Sequence, residues 1–234
     1  MGTGSPVGRA VLFDVDGTLI DSNDAHTRAW VAALAEAGYD VPFATVRPLI
    51  GMGGDRVLPL VAPGSREDAE PGKTILARRA AIFRERELTA LRPTRGARAL
   101  LEAVRRRGGA VVIATSAKRE ELDALLAAGN LGALVDVTST SDDAASSKPA
   151  PDIIEAALAK GGFAPSEAVM VGDTRYDIEA ARAAGVACVA LRCGGSPEPV
   201  LAGAAAVYDD PEDLAASLDA PPFRWTPKAA STAE

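Results

Sequence analysis

The chain has 234 residues, enough for one large domain or two small ones, and its 47% apolar and 24% charged residues are ordinary for a globular protein. Its formal net charge of −7 argues against nucleic acid or an anionic membrane surface as a partner. No window holds the run of about 18 apolar residues that a membrane span needs, and a structural zinc site is not expected from one histidine and two cysteines.

The start of the chain and its thiols predict a cytoplasmic protein. The first residues are rich in glycine and serine and contain no apolar segment typical of a secretory signal. Cys188 and Cys193 flank the end of a predicted strand, and we interpret them as unpaired thiols in a reducing compartment.

Six short apolar runs predict β-strands, and each ends in a polar or glycine-containing turn. Near-continuous apolar runs of about five residues are typical of parallel strands covered on both faces. The last run is weaker than the others. The predicted strands lie at 10–15, 110–116, 134–139, 168–173, 186–192 and 204–210.

Helical patterns alternate with these strands. Each combines apolar residues at helical spacing with a glycine near its end, a common helix stop. The predicted helices lie at 95–109, 118–130, 151–162 and 174–185. Alternating strands and helices predict an α/β protein with a doubly wound, Rossmann-like parallel sheet.

The stretch after the first strand breaks this alternation. It contains helical patterns near 22–37 and 73–91, joined by a middle rich in proline and glycine. Because βα connections are usually only a few residues long, such an insert predicts a second, α-helical domain. The expected division is a core domain of 1–19 and 93–220, a helical cap domain of 20–92, and a flexible tail of 221–234.

The first strand ends in "FDVDGT". Asp14 and Asp16 are two residues apart, so an extended chain directs both side chains to one side. Gly17 permits a tight turn, and Thr18 can donate to an oxygen held there. Since ligands bind at the carboxyl ends of strands in parallel sheets, we interpret this motif as functional rather than as a solvated turn.

Later strand ends add hydroxyls and a cation at the same edge. The second strand ends in "IATS", which places Thr115 and Ser116 there, although such residues also cap helices. Lys148, in "SSKPAPD", lies just before a helix on the ligand side of the topology. Neither motif is specific alone.

The fourth strand ends in "VGDTRYD". Asp173 follows an apolar strand and a glycine, so its side chain should emerge near Asp14. Asp177 has two interpretations, because Thr174 and Asp177 also have the spacing of a helix capping box.

Together these residues predict a cation beside an anion. Asp14, Asp16 and Asp173 supply the carboxylate oxygens that Mg²⁺ prefers. Thr115 and Lys148 supply donors and positive charge for an adjacent anion.

The ordered motifs "DVDGT", "ATS", "SKPAPD" and "GDTRYD" resemble those of the haloacid dehalogenase superfamily, in its branch of phosphatases and phosphomutases with a helical cap. The resemblance implies that Asp14 is a nucleophile and Asp16 a general acid/base. It implies that Thr115 and Lys148 bind the phosphoryl group, and that Asp14, the Asp16 carbonyl and Asp173 hold Mg²⁺. It also implies a sheet of order 5-4-1-2-3.

The resemblance spans roughly residues 9–210 and leaves two features of the insert open. His26, early in its first helical pattern, is either a packing residue or a histidine facing the active site, as in β-phosphoglucomutases. The glycine-rich "GMGGD" at 51–55 is interpreted as a flexible substrate loop. An acid at position 16 also favours phosphate esters over the carbon–halogen bonds that some members cleave.

The function expected is a Mg²⁺-dependent phosphatase of small phosphorylated metabolites that works through an aspartyl-phosphate. Thr18, Ser116 and His26 are further candidates for substrate contacts, and Asp177 for a supporting role. A sugar-phosphate mutase of the β-phosphoglucomutase type is the alternative. In a mutase, a sugar hydroxyl rather than water accepts the phosphoryl group. A non-catalytic binding module of the same fold is a third.

Overall fold

A computed structural model of the chain describes residues 10–223 and contains a six-stranded parallel sheet. The order across the sheet is β3-β2-β1-β4-β5-β6. This is the order implied by the family resemblance, with the weak sixth strand added beside β5. The strands are β1 (Ala10–Phe13), β2 (Ala110–Ala114), β3 (Val137–Ser139), β4 (Ala168–Gly172), β5 (Ala187–Leu191) and β6 (Ala206–Tyr208).

The described residues form ten α-helices. They are α1 (Asn23–Glu36), α2 (Phe43–Val46), α3 (Gly54–Val61), α4 (Gly72–Ile82), α5 (Ala97–Arg106), α6 (Arg119–Ala128), α7 (Asp152–Gly161), α8 (Arg175–Ala183), α9 (Glu198–Leu201) and α10 (Pro211–Ala216). The four helices predicted between strands are confirmed as α5 to α8, each starting one or two residues after its expected start.

The sheet is covered on both faces, as its apolar strands predict. In β1, Val11 and Phe13 join an apolar cluster with residues of α5, α6 and α10. Ala10 and Leu12 point to the opposite face and join a second cluster with residues of α7 and α8. Burying both faces explains why the strands read as continuous apolar runs rather than as alternating ones.

The segment between β1 and α5 is helical and has an apolar cluster of its own. Trp30 and Leu34 of α1, Val57 and Leu58 of α3, and Ile75 of α4 are buried in it. The end of α4 continues through a π-helical stretch, Phe83–Glu87, into a 3₁₀ turn. Helices α2 and α3 were not expected, because the stretch containing them is rich in glycine and proline.

The two connections between this segment and the sheet lie side by side. Ile20 and Pro93 form an isolated antiparallel bridge. The amide of Asp21 donates to Arg92 O at 3.0 Å, and that of Thr94 donates to Leu19 O at 3.0 Å. Both connections therefore form one short two-stranded link.

At its C-terminal end, the core extends past the expected boundary at 220. Phe223 is buried and belongs to the cluster that contains Phe13. The remainder of the predicted tail, 224–234, lies outside the described residues, as do residues 1–9 of the predicted core domain.

The structure also shows the state of the two cysteines and whether any described helix could span a membrane. Both cysteines are free thiols: Cys188 is buried and Cys193 is exposed. Across residues 10–223, the helices are all too short or too polar to cross a bilayer.

Candidate active site

Polar and charged side chains from three strands meet at the carboxyl edge of the sheet. Asp14, Thr115 and Asp173 each follow directly the last residue of a strand, in β1, β2 and β4 respectively. Because β2, β1 and β4 are adjacent and parallel, these three strand ends meet at one edge. The topology thus brings together residues that are far apart in sequence.

Three buried carboxylates form the centre of the site. Asp14, Asp173 and Asp177 each place one oxygen within 4.8 Å of the others. All three residues are buried, with exposures of 3% or less. Sequence reasoning predicted the first two as neighbours and left Asp177 between two interpretations.

Burial and the concentration of negative charge raise the affinity of two of these acids, Asp14 and Asp173, for protons. Burial is the largest influence on Asp14 and, with repulsion from nearby carboxylates, raises the pKa of that side chain well above its ordinary value despite Lys148. Burial followed by repulsion from Asp177 raises the pKa of Asp173 to about 7. A divalent cation would relieve this repulsion, and an all-carboxylate donor set suits Mg²⁺.

Lys148 lies between two of these acids. Its Nζ is 2.8 Å from Asp14 Oδ1 and 2.7 Å from Asp177 Oδ1, and its side chain is fully buried. Burial favours the neutral amine, but the two carboxylates outweigh it and raise the pKa of Lys148. The lysine therefore remains charged and holds Asp14 in place.

Asp177 combines both roles considered for it. Its Oδ2 accepts from the amide and hydroxyl of Thr174, at 3.1 and 2.6 Å, and so completes a capping box at the start of α8. Its Oδ1 holds Lys148. The helix cap and the ion pair thus fix both oxygens of this carboxylate.

The carboxylate of Asp16 is separate from this cluster. Its Oδ1 accepts a hydrogen bond from Ser22 at 2.5 Å and lies 2.7 Å from His26 Nε2. The side chain is therefore not part of the three-acid group, in contrast to the expected cage of Asp14, Asp16 and Asp173. The resemblance assigns the main-chain carbonyl of Asp16 to the metal, and that assignment stays a prediction.

The surroundings of Asp16 favour its ionised form. Burial pushes the pKa of Asp16 up, but His26, through charge and hydrogen bonding, and Ser22 hold it below its ordinary value. The His26 ring is itself stacked on Phe83, with centroids 4.0 Å apart. His26 is thus a site residue that connects the helical segment to Asp16.

Asp173 is held by side chains from both parts of the protein. Thr18 Oγ1 donates to its Oδ1 at 3.1 Å, so this hydroxyl, expected to contact substrate, binds a carboxylate of the acidic group. Asn23 Nδ2, on α1, donates to its Oδ2 at 2.8 Å and to Gly194 O at 3.0 Å. A Cβ at Gly17 or Gly194 would overlap Asp173, so both positions need glycine.

A small inner cavity of about 40 Å³ lies beside these groups, between the sheet and the helical segment. Asp14, Asp16 and Thr115 line it, together with residues 51–54. Ser116 donates to Gly51 O at 3.3 Å, and the amide of Gly53 donates to Ser147 Oγ at 3.1 Å. The predicted substrate loop therefore lies against the sheet domain, with its last two residues already in α3.

Sequence reasoning missed two charged residues that line the inner cavity, Arg79 of α4 and Glu121 of α6. A signal for Arg79 was present, because it shares a helix face with Ile75 and Ile82, both of which are buried. A charged residue in an apolar stripe predicts a partner or a function. Glu121 carried no comparable signal.

Arg47, a cationic residue of the helical segment, has partners outside the inner cavity. Its Nε is 2.6 Å from Asp24 Oδ1, and its NH2 donates to Gly194 O at 2.5 Å. It joins the helical segment to the loop after β5 and is not among the residues that line the inner cavity.

The sequence of this chain is similar to a known protein family and to a characterised relative. The sequence model described as haloacid dehalogenase-like hydrolase matches residues 11–191. A phosphoglycolate phosphatase of Cupriavidus necator is 34% identical over 227 residues, covering 94% of this chain and 96% of that protein.

Two solved structures are similar throughout. A hydrolase from Pseudomonas syringae superposes with a TM-score of 0.82 at 31% identity, covering 90% of this chain and 97% of that one. A putative β-phosphoglucomutase from Bacteroides vulgatus superposes with a TM-score of 0.80 at 25% identity, covering 92% of this chain and 89% of that one.

Proposed function

Because this chain belongs to the haloacid dehalogenase-like hydrolase family, and is a phosphatase within it, we propose that it hydrolyses small phosphorylated metabolites through a covalent aspartyl-phosphate. The observation that carries this proposal is the buried cluster in which Lys148 lies 2.8 Å from Asp14 while a second acid, Asp16, stands apart on the same cavity. One carboxylate is thus equipped to attack and another to transfer protons.

The proposed reaction has two steps that share one acid/base. The Asp14 carboxylate attacks phosphorus, the bond to the leaving oxygen breaks, and that oxygen takes a proton from the protonated form of Asp16, the minor form in these surroundings. This leaves Asp16 ionised for the second step. Asp16 then takes a proton from water, whose oxygen attacks phosphorus and releases Asp14. Lys148, already paired with Asp14, lowers the repulsion between the carboxylate and the phosphoryl oxygens.

The proposed cofactor is Mg²⁺, held by Asp14 and Asp173 with the Asp16 carbonyl, and with Asp177 beside them. When bound, a divalent cation neutralises phosphoryl oxygens that would otherwise repel the nucleophile. Support comes from the raised pKa of Asp173, about 7, which burial and then repulsion from Asp177 produce, and which a bound cation would offset.

We further propose that residues 20–92 act as a cap domain over a core of 1–19 and 93–223, which includes the buried Phe223. The helical segment has its own apolar cluster and one narrow link to the sheet, and it covers the inner cavity. A cap would exclude bulk water and select the substrate. Among relatives, the name phosphoglycolate phosphatase makes 2-phosphoglycolate the first ester to try.

The test is hydrolysis of a panel of esters with Mg²⁺ and with excess chelator. The panel includes 2-phosphoglycolate, β-glucose 1-phosphate and p-nitrophenyl phosphate. We expect release of phosphate that requires Mg²⁺ and is inhibited by Ca²⁺, a larger ion that takes more ligands. Full activity in chelator would contradict the metal assignment, and inactivity on every ester would contradict the phosphatase assignment.

A sugar-phosphate mutase is the second candidate. Two observations favour it: the similarity to a putative β-phosphoglucomutase, and the contact of His26 with the acid/base. Conversion of β-glucose 1-phosphate to the 6-phosphate faster than release of phosphate would identify a mutase.

A further inference from the structure

An ion pair between the cap and the core lies where two cavities meet. Arg79 NH1 is 2.6 Å from Glu121 Oε2, and both side chains are about 15% exposed. Both residues line the inner cavity, and both also line an outer cavity of about 660 Å³ between the helical segment and the sheet domain. The pair therefore lies beside any ligand that enters the inner cavity.

The Arg79 guanidinium has donors that its known partners leave unused. Glu121 accepts from NH1, and the Trp30 ring lies under the group with its centroid 5.7 Å away. The Nε of Arg79 is buried and has no hydrogen-bond partner among residues 10–223. A buried N–H without an acceptor is destabilising, which indicates that an oxygen from outside the described chain belongs there.

Closing the cap does not by itself explain this arrangement. Arg84, also from the helical segment, pairs with Glu120 of α6 at 2.8 Å, and these side chains are 56% and 79% exposed. That pair also connects the helical segment to α6, but it lies at the surface, where unpaired donors of Arg84 can bind water. Arg79 differs in facing the cavity that Asp14 and Asp16 line.

We propose that Arg79 is a specificity-determining residue that binds a carboxylate on the leaving group of the substrate. This rests on the proposed phosphatase function and names the substrate class as small phosphate esters with a carboxylate near the ester oxygen. With NH1 held by Glu121, the Nε edge of the planar guanidinium remains for the ligand. That edge matches the two oxygens of a carboxylate better than a single hydroxyl. The small inner cavity leaves room for few further atoms.

The test compares three esters with two-carbon leaving groups that differ only at the second carbon: 2-phosphoglycolate, 2-hydroxyethyl phosphate and ethyl phosphate. The measured quantity is kcat/KM for each, with Mg²⁺ present. We expect wild-type protein to prefer the carboxylate ester over both others. In Arg79→Gln, the ratio of the carboxylate ester to ethyl phosphate should fall by about 10- to 100-fold, as for loss of a charge-assisted hydrogen bond.

A ratio is the right measure because Arg79 also lies close enough to Asp16 to influence its charge. A change in the charge of Asp16 affects the hydrolysis of all three esters alike, so it cancels in the ratio of their kcat/KM values. Arg84→Gln is the matched control, since it removes the same charge from the neighbouring cap–core pair, and it should keep the wild-type ratio. Arg79→Lys keeps a charge but not the planar edge, and should lose most of the preference; it also serves if Arg79→Gln does not fold.

Three results would overturn the proposal: an unchanged ratio in both Arg79 variants, an equal fall in Arg84→Gln, or a wild type that accepts all three esters equally. In the last case the phosphatase function stands and only the assignment of Arg79 fails. If the wild type hydrolyses neither these esters nor p-nitrophenyl phosphate, the proposed function itself fails.

Discussion

His26 Nε2 lies 2.7 Å from Asp16 Oδ1, and this contact joins the first helix of the inserted segment to the acid/base proposed for the sheet domain. Phe83 stacks on the imidazole from the other side of the same segment. The proposed cap would therefore support the chemistry as well as cover it. Ser22 and His26 both lie beyond the first connection, and both contact the Asp16 carboxylate.

Replacing His26 with alanine tests that dependence. We expect kcat for p-nitrophenyl phosphate to fall by roughly tenfold, less than the loss of about 10²- to 10⁴-fold for removing an acid/base itself, because Ser22 still holds Asp16. In a mutase, transfer to sugar should fall more than hydrolysis does. Phe83→Leu, which removes the stacking but keeps the hydrogen bond, should show a smaller effect. Negligible changes on every substrate would assign His26 to packing alone.

Gly194 tests the placement of Asp173. A Cβ at this position would overlap the Asp173 carboxylate, so Gly194→Ala must displace one of the proposed metal ligands. We expect the Mg²⁺ concentration for half-maximal activity to rise by about tenfold or more, the usual range for disturbed ligand support. Gly132→Ala is the control, because no heavy atom lies within 4 Å of its Cβ. Wild-type Mg²⁺ dependence in Gly194→Ala would contradict the assignment.

The residues that the sequence placed correctly are those at strand ends. Continuous apolar runs define strands, and strand ends in a parallel sheet share an edge, so the order of apolar runs and acids along the chain is enough to group Asp14, Thr115 and Asp173. The contact of Asp16 with His26 could not be derived this way. It depends on the angle between the inserted helices and the sheet, which tertiary packing sets.

Helix α3 was missed for a different reason, since its own residues favour a loop. It begins at Gly54 and contains Pro59, residues that normally predict a loop. Packing of Val57, Leu58 and Val61 in the apolar cluster of the cap overrides that preference. Arg79 was overlooked because its significance comes from the cavity it lines, although its place in the apolar stripe of α4 could have indicated it.

Asp210 lies away from the proposed active site, and its contacts predict how the stability of the fold depends on pH. It accepts from the amides of Glu212 and Asp213 at the start of α10, at 2.9 and 3.0 Å, and pairs with Arg95. Burial pushes the pKa of Asp210 up, but these donors outweigh it and lower the pKa. Folding therefore favours the ionised form. The resulting stabilisation is present above the unfolded pKa of about 3.9 and is lost as pH falls through the lower folded value.

We expect Asp210→Ala to lower the free energy of unfolding by about 1 kcal/mol at neutral pH, the usual value of a helix N-cap. Asp210→Asn should cost less, since an amide still caps and Arg95 is largely exposed. Denaturant titrations at several pH values should show the gap to wild type narrowing from about pH 5 to about pH 3. A gap independent of pH would contradict the ionised contact.

Asp14→Asn provides the decisive test of whether Asp14 is the nucleophile of a phosphatase, with the rate of p-nitrophenyl phosphate hydrolysis in Mg²⁺ as the measured quantity. The substitution keeps the shape of the side chain and removes its negative charge. We expect a folded protein, judged by its thermal unfolding, with less than about 1% of wild-type kcat. A folded Asp14→Asn variant that releases phosphate within tenfold of the wild-type rate would show that Asp14 is not the nucleophile.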